Sequence, residues 1–116
     1  MREMGDALKR RCLHLFIPLP DAKLEREIVA SRVPEIEERL RRQLVAFVQM
    51  LREEDLKKLP SISETLDWAR VLLLLHADAL DADLVRDTLN VLLKFEQDIA
   101  AVERSVAELT RKAKQA

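Results

Sequence analysis

The amino-acid sequence predicts an all-α protein, a bundle of four or five helices preceded by one short β-strand. The composition favours helix, because a single glycine, three phenylalanines and no tyrosine accompany many Leu, Ala, Glu and Arg residues. Four prolines at positions 18, 20, 34 and 60 divide the chain, since proline removes a backbone donor and restricts the residue before it. Between them, apolar residues recur at steps of three and four, which indicates amphipathic helices.

Composition also limits the classes of partner. The chain of 116 residues carries 20 basic and 21 acidic side chains, whereas a general nucleic-acid-binding protein would show a basic surplus. The longest apolar run, residues 71–75, is far shorter than the roughly 20 residues that a membrane-spanning helix needs. Cys12 is the only cysteine, which excludes an intramolecular disulfide and favours a cytoplasmic location. The sequence therefore predicts one cytoplasmic domain with neither nucleic acid nor membrane as a partner.

The predicted strand is CLHLFI, residues 12–17, which ends abruptly at Pro18. Its residues are apolar without alternation, a pattern typical of a strand buried on both faces of a parallel sheet. No second strand is predicted downstream, so this one lacks a partner within the chain. Because exposed strand edges pair readily, we expect the chain to self-associate, either through this strand or through its C-terminal helices.

Two helices are predicted after the strand. Asp21 is a good N-cap for the first, which runs to Pro34. Pro34 suits the first turn of the second, over residues 34–53, which has a strong apolar stripe. The polar stretch EEDLKKLP then connects to a third helix.

The third helix is predicted over SISETLDWARVLLLLHA, residues 61–77. Ser61 or Ser63 can cap it, and Glu64 stands three residues after Ser61, as a capping box requires. The run VLLLL is apolar around the whole helix circumference, so we expect this helix to be the central and most buried one. His76 is predicted on its last turn.

The rest of the chain follows one apolar stripe, capped by Asp81 or Asp83, from residue 85 to residue 109. Neither Gly nor Pro interrupts it. Two interpretations remain open: two bundle helices separated by a turn near residues 96–98, or one long helix whose second half reaches out to a partner. The pattern slightly favours the long helix.

The N-terminal stretch REMGDALKRRCLHLFIPLPD resembles the region after sensor 1 in AAA+ ATPases of the MoxR type. PSISETLDWARVL and LDADLVRDTLNVLLKFEQDI are similar to the helical lid of the MoxR branch associated with carbon monoxide dehydrogenase maturation. The resemblance implies that residues 1–20 are a remnant of the ATPase core, carrying the arginine-finger helix and the last strand, and that residues 21–116 form the lid domain. Walker A, Walker B and sensor 1 would precede residue 1.

The resemblance assigns two kinds of site residue. Arg11 matches the arginine finger, with Arg10 as the alternative if the register shifts by one; without the resemblance both are an ordinary cationic helix end. Family members place a sensor-2 arginine where this chain has Ser63. Arg70, the only cation on that helix, is the candidate replacement in nucleotide binding. The sequence predicts Arg70 on a different part of the helix face from Ser63 and favours an ordinary solvated or core-capping role over a nucleotide contact.

These assignments imply a function only for the intact parent protein. The parent would bind ATP and Mg²⁺, form a ring of identical subunits and remodel other proteins during metal-cofactor assembly, with a von Willebrand-A-type protein as partner. The chain alone would bind no cofactor and hydrolyse no ATP. The alternative is a stand-alone helical module that binds proteins through the stripe at residues 85–109. His14 and His76 are too few for a metal site, so none is predicted.

Overall fold

The computed structural model describes residues 19–115, which form six α-helices and, within that range, no strand. We number the helices α1 (Ala22–Arg32), α2 (Glu38–Leu51), α3 (Ile62–Leu74), α4 (Ala82–Leu92), α5 (Glu96–Glu103) and α6 (Val106–Lys114). The all-α prediction is confirmed for this part of the chain, with six helices instead of four or five. The predicted strand at residues 12–17 lies outside the described residues.

The central helix of the bundle is α2, which packs against α1, α3 and α6. It has a continuous buried stripe, because apolar residues at steps of three and four fall on one side of a helix. The buried side chains of α2 are Leu40, Gln43, Leu44, Val45, Phe47, Val48 and Leu51. α3 and α4 form a second packed pair, and α4 also contacts α6, which closes the core.

α3 is amphipathic, so the expectation that VLLLL makes it the most buried helix is wrong. Trp68, Ala69 and Leu72 are fully buried, whereas Leu74 is 77% exposed and Leu75 is 54% exposed. The neighbours α1, α2 and α4 cover only part of the circumference of α3, and its last two leucines lie outside the covered part. An apolar run is therefore compatible with a helix that has one solvent-facing side.

The C-terminal end of α3 is closed by a Schellman motif. The amide of His76 donates to the carbonyl of Leu73 at 3.0 Å, and the amide of Ala77 donates to the carbonyl of Leu72 at 3.1 Å. His76 has a φ of 58°, in the left-handed region where this motif usually has glycine. It therefore lies just beyond the helix and not on its last turn, where it was predicted.

Replacing His76 with glycine is expected to raise the free energy of unfolding by roughly 0.5–1 kcal/mol. The substitution relieves the left-handed strain of a residue with a Cβ, and the greater freedom of glycine in the unfolded chain offsets part of that gain. The change is measured by urea unfolding. His76→Ala is the control, because alanine keeps the Cβ and should give no stabilisation. Equal effects of the two substitutions would contradict a left-handed residue 76.

The first two helices are capped differently from one another. The prediction for Asp21 is confirmed, since its Oδ1 accepts a hydrogen bond from the Leu24 amide at 2.8 Å. The prediction for Pro34 is wrong, because α2 begins at Glu38 and residues 34–36 form a turn before it. Val33 just before this turn and Ile36 within it are buried, so core packing, and not proline, sets where α2 begins.

The C-terminal third forms three helices, so the single long helix is wrong, and the two-helix alternative misses one of the two breaks. The first break lies at Leu93–Phe95, where both end residues have extended backbone angles. The second lies at Arg104–Ser105, where the Ser105 amide donates to the Val102 carbonyl at 2.8 Å.

The breaks fold the apolar stripe into the core. Six of its members are buried: Val85, Leu89, Leu92, Val102, Val106 and Leu109. These six side chains are therefore not available as a docking surface. The association of copies and the stand-alone interaction module stay predictions. The buried side chains of the stripe stabilise the contact of α6 with α2 and α4.

Candidate functional site

A groove of about 480 Å³ separates the C-terminal half of α1 from the N-terminal turns of α3. It is lined by Glu27, Ile28, Ser31 and Arg32 of α1 and by Ile62, Ser63 and Leu66 of α3. The apolar side chains lie beside two hydroxyls and one cation, a mixture that is typical of ligand-binding surfaces. Ser63, the residue at the sensor-2 position, is exposed in this groove.

The N-terminus of α3 is fixed by the predicted capping box. Oε1 of Glu64 accepts hydrogen bonds from the Ser61 amide and from the Ser61 hydroxyl, each at 2.7 Å. Burial raises the pKa of Glu64, but the hydrogen bonds from Ser61 and the charges of Lys58 and Lys94 outweigh it, so the pKa lies below its ordinary value of 4.5. The wall of the groove that carries Ser63 is therefore a firmly capped helix end.

The lowered pKa of Glu64 predicts a pH dependence of stability. The stabilisation is fully present above the unfolded-state pKa, near 4.5, and is lost as the pH falls through the lower folded-state pKa. Glu64→Gln should remove this contribution, because an amide oxygen accepts the same hydrogen bonds without titrating. The measurement is the free energy of unfolding of both proteins from neutral pH down through 4.5. Parallel curves would contradict the assignment.

Arg70 lies on the exposed side of α3, together with Ser63 and Asp67. Seven residues are nearly two helical turns, so Arg70 and Ser63 point in almost the same direction, and the prediction that they occupy different parts of the face is wrong. Arg70 NH1 lies 3.5 Å from Asp67 Oδ1, one turn closer to Ser63. Both side chains are more than half exposed, so the pair contributes little to stability and leaves the guanidinium free to rearrange.

The predicted arginine finger, Arg11 or Arg10, lies outside the described residues. Within residues 19–115, no group of three or more His, Cys, Asp or Glu side chains is arranged to hold a metal ion. The groove itself has one cation, Arg32, against one carboxylate, Glu27.

Sequence reasoning missed a buried polar cluster at the other end of α1. Glu25 is fully buried and accepts four hydrogen bonds: from Arg52 NH1 and NH2 at 2.8 Å each, from Thr65 Oγ1 at 2.8 Å and from Gln49 Nε2 at 2.7 Å. We call these four residues the α2 clasp, because Gln49 and Arg52 come from the end of α2. One signal was present: Glu25 precedes the buried residues Val29 and Val33 at steps of four, on the core side of α1.

Arg32 of the groove was also missed, because a single arginine at a helix C-terminus is an ordinary complement to the helix dipole.

Comparisons with protein-family models, with curated proteins and with solved structures found no significant match to this chain. In the part of the chain that the structure describes, no helix has both the length and the apolar character required to cross a membrane.

Proposed function

We propose that this chain is the C-terminal lid portion of a MoxR-type AAA+ ATPase that remodels other proteins in metal-cofactor assembly. The observation that carries the proposal is the order of features along the chain. A stretch resembling the arginine-finger region is followed directly by a helical bundle, and the helix corresponding to the sensor-2 helix begins with a capping box in an open groove. The parent protein would be a cytoplasmic ring of identical subunits with a von Willebrand-A-type partner.

The groove between α1 and α3 is the proposed nucleotide-facing surface of the lid. Ile28, Ile62 and Leu66 offer apolar contact to a flat base, and Arg32 offers a positive charge. The groove is open and holds one cation, so ATP and Mg²⁺ would be held mainly by the polypeptide that precedes residue 1 in the parent. The chain alone would then show no nucleotide binding and no hydrolysis.

Arg70 would take the place of the sensor-2 arginine that is absent at Ser63. Helical side chains lean toward the N-terminus of their own helix, which carries the guanidinium of Arg70 toward Asp67 and the Ser63 end. The guanidinium of Arg70 has five N–H donors for phosphate oxygens. Contact with a phosphate would replace its weak surface ion pair with Asp67 by stronger, charge-assisted hydrogen bonds. Arg11 would act in trans, stabilising the transferring phosphoryl group bound to a neighbouring subunit.

The test compares two arginines in the ATP-binding parent protein. Arg70 and Arg86 are matched, because both are exposed and each pairs with an aspartate three residues earlier, at 3.5 Å and 3.0 Å. Arg70→Ala should weaken ATP affinity about ten- to a hundredfold, the range of a lost hydrogen bond to a charged group. Arg86→Ala should leave the affinity unchanged, since it lies on α4. Equal effects would contradict the role of Arg70.

A further inference from the structure

The α2 clasp binds the backbone at two places that are far apart in sequence. Gln49 Nε2 donates to the Pro20 carbonyl at 3.2 Å, and Arg52 Nε donates to the Pro60 carbonyl at 2.9 Å. Each proline comes directly before the N-cap of a helix: Pro20 before Asp21 of α1, and Pro60 before Ser61 of α3. The end of α2 therefore fixes both the segment just before α1 and the point where α3 begins.

The two contacts share one buried carboxylate. Glu25 lies on α1 and Thr65 on α3, and both are fully buried. Besides donating to Glu25, the Thr65 hydroxyl is 3.3 Å from Arg52 NH2. The hydrogen bonds of the Glu25 carboxylate can all form in only one relative position of α1 and α3. Moving either helix alone would leave a charge or a donor unpaired in a low-dielectric interior.

We infer that the α2 clasp couples Leu19–Pro20, the segment just before α1, to the N-terminus of α3, so that the two move as one rigid unit. A displacement of this segment reaches α3 through Gln49, Glu25 and Thr65, which are joined by hydrogen bonds. The coupling belongs to the bundle itself and does not depend on the ATPase proposal. In an ATPase it would transmit movement of the preceding core to the groove wall that carries Ser63.

The test uses a nitroxide at position 19, because Leu19 is 44% exposed and a label there replaces no core side chain. Leu19→Cys is introduced with Cys12→Ser so that the label has a single attachment site. Electron paramagnetic resonance of this protein should show an immobilised label. Gln49→Leu should remove the immobilised component, because the Pro20 carbonyl loses its donor and the segment before α1 gains nanosecond mobility.

The decisive variant is Thr65→Val, which keeps the side-chain shape, removes the hydrogen bond to Glu25 and lies far from residue 19 in sequence. Coupling predicts that Thr65→Val also mobilises the label. The control is Gln43→Leu on α2, the helix of Gln49. It removes the acceptor of the Leu80 amide, and among the described residues Gln43 shares no hydrogen bond with the clasp. It should lower stability without changing the label spectrum. An unchanged spectrum in Gln49→Leu or Thr65→Val, or an equal change in Gln43→Leu, would overturn the inference.

Discussion

Replacing Arg52 with methionine is expected to lower the free energy of unfolding by about 3–5 kcal/mol, because the Glu25 carboxylate is then left buried without its ionic partner. The side chain of Glu25 is 0% exposed and that of Arg52 is 7% exposed, so water screens the pair poorly. Methionine retains much of the length and apolar contact of the arginine stem, which confines the change to the charge and its hydrogen bonds. Urea unfolding followed by circular dichroism measures the effect.

A matched control is Arg42→Met, also on α2. Arg42 lies 3.7 Å from Glu38, and its side chain is 46% exposed, so the loss should be at most about 0.5 kcal/mol. The double variant Glu25→Leu with Arg52→Met should recover much of the stability lost in Arg52→Met, since no charge remains buried. If Arg52→Met costs no more than Arg42→Met, the Glu25 pair is not buried as described.

Replacing Trp68 with alanine is expected to cost about 3–5 kcal/mol, through lost apolar burial and the cavity left behind. Trp68 is fully buried on α3, and its ring centroid lies 5.5 Å from that of Phe47 on α2 in a tilted arrangement. Its Nε1 donates to Thr88 Oγ1 on α4 at 2.8 Å, so this one side chain joins three helices. The hydroxyl of Thr88 keeps a partner in the variant, the Leu84 carbonyl at 2.8 Å.

The control for Trp68→Ala is Leu74→Ala on the same helix. Leu74 is 77% exposed, so its truncation should change stability by less than about 0.5 kcal/mol. Circular dichroism is the suitable signal, because Trp68 is the only tryptophan and its fluorescence disappears in the variant. A larger loss for Leu74→Ala than for Trp68→Ala would mean that α3 is rotated, with the leucine run inward.

The parts of the fold that the sequence predicted are those decided by local chemistry. Asp21 and the Ser61–Glu64 pair were identified as caps because a short polar side chain before an apolar stripe satisfies free amides at the helix start. The burial of α2 followed from its stripe. Each of these features depends on residues within one or two turns of one another.

The parts that were missed depend on contacts between distant residues. The turn expected near residues 96–98 lies instead at Leu93–Phe95, which carries neither Gly nor Pro. The following helix is held by Asp98, whose carboxylate accepts the amides of Lys57 and Lys58 at 2.8 Å and 3.1 Å. That contact spans about forty residues and leaves no local pattern. The orientation of α3 about its own axis likewise depends on α1, α2 and α4, the neighbours that cover it.

The candidate site also has a part that the sequence predicted and a part that depends on contacts between distant residues. Ser63 was assigned from the resemblance to the sensor-2 helix, whereas its groove with Arg32 depends on the packing of α1 against α3. Glu25 and Arg52 are separated by 27 residues, and a charged pair at that distance in sequence is indistinguishable from surface charges. Arg10 and Arg11, on which the proposed reaction depends, remain a prediction from the resemblance.

ATP hydrolysis by the polypeptide that includes the reading frame upstream of Met1 tests the proposed lid most directly. That frame should contain a phosphate-binding loop, and Arg11→Ala should lower the hydrolysis rate by about 10³–10⁵-fold, as expected for an arginine finger. Mixing Arg11→Ala subunits with subunits whose loop is inactivated but whose Arg11 is intact should restore part of the activity, because the finger acts on a neighbour. An upstream frame without such a loop, or a mixture no more active than its components, would contradict the proposal.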